Sequence, residues 1–176
     1  MKTWFILATI VSLIFAYVHY SGKQKNQNLP VKINTAEPSD SRIQDIQNLA
    51  NANGFEPSMR IIKAILKASD MYQIDALELT AIGIIETGLG KYATTRKNTN
   101  GTKDHGVFQI NTVNMPKCVE YNLDSPEGSA LCAAKLLSEI KSRRNDYLGV
   151  YHSKTKSKKI AYMQKVSKVL TNSSDK

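Results

Sequence analysis

Cysteine is scarce, with two residues in 176, and histidine hardly commoner at three. Two cysteines cannot build a disulfide-dense miniprotein. So few, scattered ligands cannot form a Cys₄ or Cys₂His₂ zinc module at the usual spacing, so no metal or other cofactor is expected. Acid is scarce in one half only. Residues 1–90 carry eight basic and eight acidic side chains, whereas residues 91–176 carry sixteen and seven. The net charge of +9 therefore belongs to the second half and points to an anionic partner there. Nucleic acid is the less favoured one, for no aromatic–basic platform, helix-turn-helix spacing or zinc finger appears. No internal repeat is visible. With 41% hydrophobic and 22% charged residues, a wholly disordered chain is excluded, and the length leaves room for one domain plus a tail or anchor.

From Trp4 to Val18 every residue is apolar except Thr9 and Ser12. At about 1.5 Å rise per residue this run reaches about 25 Å, slightly short of a hydrocarbon core of roughly 30 Å. That length fits a signal peptide or a short membrane anchor, and the lack of small residues around Tyr17–Tyr20 favours the uncleaved form. Either form exports the rest of the chain. Residues 21–40 are rich in Lys, Asn, Gln, Ser and Pro and read as a tether. Ile43, Ile46 and Leu49 then mark a short amphipathic helix stopped by Asn53-Gly54.

Pro57-Ser58 opens the expected globular domain. Ile61, Ile62, Ile65, Leu66 and Ala68 outline a buried helix, and Asp75 with Glu78 is a capping-box-like start for another that ends at Gly88 and Gly90. Residues 91–105 are polar and glycine-punctuated, a loop or a small irregular hairpin, and Phe108–Asn111 is a short extended piece. Ser125-Pro126 caps a helix with Ala130, Ala133, Ala134, Leu137 and Ile140 in one stripe. A last helix holds Ile160, Met163, Val166, Val169 and Leu170. The chain is thus mainly helical, with at most a minor sheet. In an exported domain Cys118 and Cys132 form one disulfide; two buried free thiols are the alternative if the segment before them does not export.

Glu86 occupies an odd place. It sits in the last turn of its helix among Ile82, Gly83, Ile84, Ile85 and Leu89, where the macrodipole and desolvation both disfavour a carboxylate. Both effects raise its pKa, the property a general acid needs to protonate a glycosidic oxygen. On these residues alone, a solvent-facing glutamate at a frayed helix end is the plainer reading. Glu86-Thr87-Gly88-Leu89-Gly90 is followed, however, by Gly106-Val107-Phe108-Gln109-Ile110-Asn111 and later by Tyr151-His152-Ser153, with Tyr162 beyond. In that order the three segments resemble the lytic transglycosylases of the soluble-lytic-transglycosylase (goose-lysozyme-like) type, over roughly residues 58–170. The Tyr-His-Ser ending looks most like the small members that accompany secretion, conjugation or pilus machines.

The resemblance implies a mainly α fold: a lysozyme-like α+β domain with a minor irregular β-hairpin, preceded by an N-terminal hydrophobic helix. Its parts would be residues 1–22 as signal peptide or signal anchor, 23–56 as tether with the short helix, 57–171 as the transglycosylase domain and 172–176 as tail. It implies a periplasmic enzyme, inner-membrane-anchored or released, that opens peptidoglycan locally without a cofactor and without nucleic acid, in partnership with an envelope apparatus. Glu86 is then the acid and base for cleaving the bond between MurNAc and GlcNAc to a 1,6-anhydro product. Thr87 would hold the Glu or an acetamido group, Gln109 and Asn111 would offer amides to the sugar, and Tyr151 would bond Glu86 and stack on a sugar face. Many members have Ala-Tyr-Asn-x-Gly where this chain has Val150-Tyr151-His152-Ser153-Lys154, so His152 stands at a substrate-contacting position in place of Asn. Asp104 reads as a surface loop residue, and His105 and His152 as loop histidines too isolated for a metal. The rival functions are a goose-type lysozyme, with water as acceptor, and a non-catalytic peptidoglycan-binding or machine-docking protein. The lysines of residues 151–176, seven against one acid, suit an anionic wall polymer or form a plain solvated face.

Overall fold

A computed structural model of the chain describes residues 40–92 and 95–172. The expected signal or anchor of residues 1–22, most of the tether and the tail lie outside the described residues. Six α-helices are described: α1 (Asp40–Ala52), α2 (Met59–Tyr72), α3 (Ala76–Thr87), α4 (Pro126–Lys141), α5 (Tyr147–His152) and α6 (Lys156–Thr171). Three short strands, β1 (Arg96–Lys97), β2 (Lys103–His105) and β3 (Ile110–Asn111), form an antiparallel sheet in chain order. A 3₁₀ helix spans Thr112–Lys117. The helical character and minor sheet agree with the expected architecture. No helix among the described residues is long and apolar enough to cross a membrane.

Local chemistry sets the helix ends. The Ser58 hydroxyl accepts from the Ile61 amide, the Asp75 carboxylate from the amides of Leu77 and Glu78, and the Ser125 hydroxyl from the Gly128 amide. The Glu78 side chain does not complete a capping box; it accepts a hydrogen bond from the Tyr147 hydroxyl. Helix α3 ends in a Schellman turn: Gly88 adopts φ +58°, its amide donates to Ile84 and that of Leu89 to Gly83. A β-carbon at Gly88 would also lie 2.4 Å from the Phe55 ring.

Helix α3 is apolar nearly all round, with Leu79, Ala81, Ile82 and Ile84 buried, and is therefore the helix that others surround. One face meets the main core of Ile62, Ile65, Leu66, Phe108, Leu137 and their neighbours; the other meets a smaller cluster built on Tyr162 and Val166 of α6. Helix α1 supplies Ile46, Leu49 and Ala50 to the main core, so the packed unit includes residues before Pro57. The inward face of α6 also differs from the expected stripe. Ile160 is 48% exposed, because the face follows Tyr162, Val166, Val169 and Leu170 at helical spacing. Phe108 and Gln109 are not extended: only Ile110–Asn111 pairs, and Gln109 takes φ +47° in the turn before it.

The segment leading into β3 is pressed against the start of α4. A β-carbon at Gly106, whose φ is +70°, would fall 2.0 Å from the Leu123 carbonyl, and the buried Ser129 hydroxyl accepts from the Phe108 amide. Cys118 and Cys132 are joined in a disulfide, tying the end of the 3₁₀ helix to α4 across fourteen residues. For a loop of this size the bond limits the unfolded chain by about 3 kcal/mol. Replacing both cysteines by serine is expected to lower the unfolding free energy by about that amount, measured by urea denaturation, with the two proteins converging when the parent is fully reduced.

Candidate active site

Helix α3 ends with Glu86 and Thr87 pointing to different surroundings, as consecutive helical positions must. The Glu86 side chain is 17% exposed, and its Oε1 accepts a hydrogen bond of 2.8 Å from the Tyr162 hydroxyl of α6. His152, at the end of α5, places Nδ1 3.9 Å from the same oxygen and stacks its ring on Tyr162 with centroids 4.4 Å apart and planes 7° from parallel. Three elements thus converge on one carboxyl group. Burial raises the Glu86 pKa, and the negative charge of Asp104 adds to the rise. The Tyr162 hydrogen bond and the Lys165 charge oppose it, because both favour the ionised form. His152 is pushed the other way. Burial lowers its pKa, the charges of Lys165 and Lys158 lower it further, and the charge of Asp104 opposes them, so the environment favours the neutral ring.

Tyr151 donates to the Phe108 carbonyl at 2.9 Å instead of bonding Glu86. Its hydroxyl pins α5 to the Gly106–Asn111 segment; burial first, then the charges of Glu86 and Asp104, keep it protonated. Thr87 is buried at 2% exposure, so it cannot touch a substrate. It donates to the Val107 carbonyl at 2.7 Å and accepts from the Gly90 amide at 3.0 Å, locking the helix end to the glycine-led segment. Asn111 is equally committed. Its amide nitrogen donates to Asp104 at 2.7 Å and to Thr102 at 2.9 Å, while its oxygen caps the 3₁₀ helix at Val113. Gln109 folds Nε2 back onto the Gly106 carbonyl at 2.9 Å. These four side chains therefore shape the wall behind the carboxyl group.

Two residues gain importance over their expected standing. Asp104 is half-buried in β2 rather than a surface loop residue. It is held by the amides of Asn98 (2.9 Å) and Asn111 (2.7 Å), and its charge is felt by Glu86, Tyr151 and His152. Tyr162 is the hydroxyl that serves Glu86. Its apolar helical spacing with Val166 is a signal for burial, but nothing local marks a partner 76 residues away. His152 belongs to a helix, not a loop. A recess of about 390 Å³ lies beside this wall, lined by Leu89, Gly90, Gly106 and Val107 among others; Glu86 does not line it. Among the described residues, no group of three His, Cys, Asp or Glu side chains is placed to hold a metal ion.

Two measurements check this electrostatic arrangement. Removing the hydroxyl in Tyr162→Phe is expected to raise the Glu86 pKa further, because the lost bond favoured the carboxylate, whereas Tyr151→Phe leaves that bond in place; carboxyl NMR titration reads both. Glu86 also carries a folding cost. A folded pKa above the unfolded one costs nothing below the unfolded value, and the cost grows as pH rises through the folded value. Glu86→Gln is therefore expected to stabilise the fold by about 1 kcal/mol at pH 7 and to lose that gain near pH 3, measured by thermal unfolding at both pH values.

Residues 63–165 match a family model described as the transglycosylase SLT domain. Protein IpgF of Shigella sonnei is 34% identical over 102 residues, a match that covers 53% of this chain and 66% of that protein. Protein IpgF of Shigella flexneri matches with the same identity and coverage. The match thus spans just under two thirds of the length of these relatives. No solved structure matches the chain.

Proposed function

The chain belongs to the transglycosylase SLT-domain family, and from that premise we propose that it is a peptidoglycan lytic transglycosylase acting through Glu86. The observation that carries this reading is one carboxyl group, buried, pushed towards its neutral form, and still within reach of a hydroxyl donor at 2.8 Å. Neutral Glu86 gives its proton to the oxygen linking MurNAc C1 to GlcNAc C4, and the C1–O bond breaks. The positive charge that develops at C1 is stabilised by the 2-acetamido oxygen and by the fixed negative charge of Asp104. Glu86, now ionised, is held by the Tyr162 hydrogen bond and takes the proton from the MurNAc C6 hydroxyl. That oxygen closes on C1 as the 1,6-anhydro ring. One C–O bond is broken and one formed, one proton is lent and returned, and no water is consumed.

His152 fits this scheme as a neutral partner: its ring sets the Tyr162 ring by stacking and leaves an edge 44% exposed for a sugar hydroxyl. The bond cleaved lies in the wall, so the domain works outside the cytoplasmic membrane. Residues 1–22 would then be a signal or an anchor, and residues 23–56, with their short helix packed on the domain, the tether. The resemblance to small members of envelope machines adds local wall opening beside such a machine as the role.

One observation favours a second outcome. Asp104, oriented by two asparagine amides near Glu86, is a base that could hold a water at C1, which would make the enzyme a goose-type lysozyme. Mass spectrometry of digested sacculi separates the two, since the anhydro product is one water lighter. Anhydro-muropeptides are expected from the parent protein, and Glu86→Gln is expected to lower their rate of release by about 10²–10⁴-fold while still binding sacculi. Undiminished release by that variant would remove the enzymatic reading.

A further inference from the structure

Several cations among the described residues are held in ion pairs. Lys117 holds Glu139, Lys135 holds Glu120, Arg60 holds Glu127, and Lys159 shares Asp146 with Arg144. Lys158 and Lys165 are among the exposed cations with no ion pair or hydrogen bond among the described residues, and their position is what sets them apart. Their place on α6 is set by helical geometry. Lys158 precedes Tyr162 by four residues and Lys165 follows it by three, so both flank, on one face, the tyrosine that closes over Glu86. That spacing sets both lysines beside the site, and their charges act on it: Lys165 on Glu86 and His152, Lys158 on His152. Helix α6 carries no acidic residue to neutralise them. For the proton donor these charges are adverse, since a nearby cation favours ionised Glu86. Their position is explained by something other than the acid.

We infer that Lys158 and Lys165 form a carboxylate-binding rim that selects glycan strands still carrying their stem peptides. This rests on the transglycosylase reading above and deepens it. Stem peptides hang from the lactyl group of the very sugar whose C1 reacts, so their free carboxylates pass the edge of the site when that sugar is seated. Two ammonium groups on flexible stems meet carboxylates of variable position without demanding a fixed geometry. The lactyl carboxylate, bared when peptides are removed, offers the same chemistry closer to the ring and is the source to be distinguished.

The test compares kcat/KM on three substrates: peptide-bearing strands, the same strands with carboxylates amidated by carbodiimide coupling, and strands stripped of peptides by an amidase. The parent protein is expected to prefer peptide-bearing strands over both others by roughly tenfold, and a salt concentration of about 0.5 M is expected to erode the preference. The double variant Lys158→Gln/Lys165→Gln is expected to abolish it. Any change in Glu86 acidity caused by the loss of Lys165 acts on all three substrates and cancels in the ratio. An unchanged ratio in the variant, no preference in the parent, or equal preference for stripped strands each overturns the rim. Failure of the parent to cleave any strand sinks the transglycosylase reading instead. Sedimentation of Glu86→Gln with native and amidated sacculi then decides the rim: lysine-dependent retention on native sacculi alone supports it, and retention indifferent to the lysines overturns it. Equal lysine-dependent retention on phosphatidylglycerol vesicles would identify a membrane contact and overturns it too.

Discussion

A carboxyl group at the C-terminal end of a helix that is apolar nearly all round has no good place to put a negative charge, and the site is organised around that fact. Glu86 lies at the negative end of the helix dipole, and the surrounding elements leave its side chain only 17% exposed. Among the described residues its hydrogen-bond donor is the Tyr162 hydroxyl of α6, the helix that also seals the far side of α3 with Val166. The same docking that shields the acid thus supplies the hydrogen bond that keeps its ionised form tolerable. Burial alone would leave a group too reluctant to ionise. A donor alone would leave one too ready to lose its proton.

Around that group the polar side chains divide into two kinds. Thr87 and Tyr151 are engaged with backbone carbonyls and Asn111 with Asp104, Thr102 and the Val113 amide, and they fix the relative position of α3, the sheet and α5. Asp104 keeps its electrical influence on the carboxyl group and His152 its place beside it, while both remain open to solvent in part. Buried donors and acceptors left unmatched would cost about 1–3 kcal/mol each, so the first kind has no freedom to serve a ligand. The distinction is one of satisfaction: a saturated side chain builds, and an accessible one can act.

How much of this was legible in the sequence follows from the range of each interaction. Ser58, Asp75 and Ser125 announced their helices because a cap and its amides lie within three residues. The anomaly of Glu86 was visible from its own apolar neighbours, and the disulfide partners from there being only two cysteines. Thr87 and Asn111 were assigned to the substrate because a hydroxyl at a helix end, or an amide after a glycine turn, looks the same whether it faces a groove or a carbonyl twenty residues away. The bond to Glu86 expected of Tyr151 falls to Tyr162 for a like reason. Both stand near the end of the chain in helical segments, and only the packing of α6 on α3 decides which hydroxyl reaches the acid. Asp104 was underrated because its two asparagine partners, six residues before and seven after it, meet it only once the hairpin has formed.

The pairing of β2 with β3 sets Asp104 opposite Asn111 and His105 opposite Ile110. Successive residues of a strand face opposite ways, so sliding β3 by a single step would turn the Asn111 amide into the oil now filled by Ile110 and bring that isoleucine against a carboxylate. A ladder only two residues long has few backbone bonds with which to insist on its alignment. Here the polar couple on one side and the greasy one on the other do the insisting, so the group that tunes the acid also proofreads the hairpin.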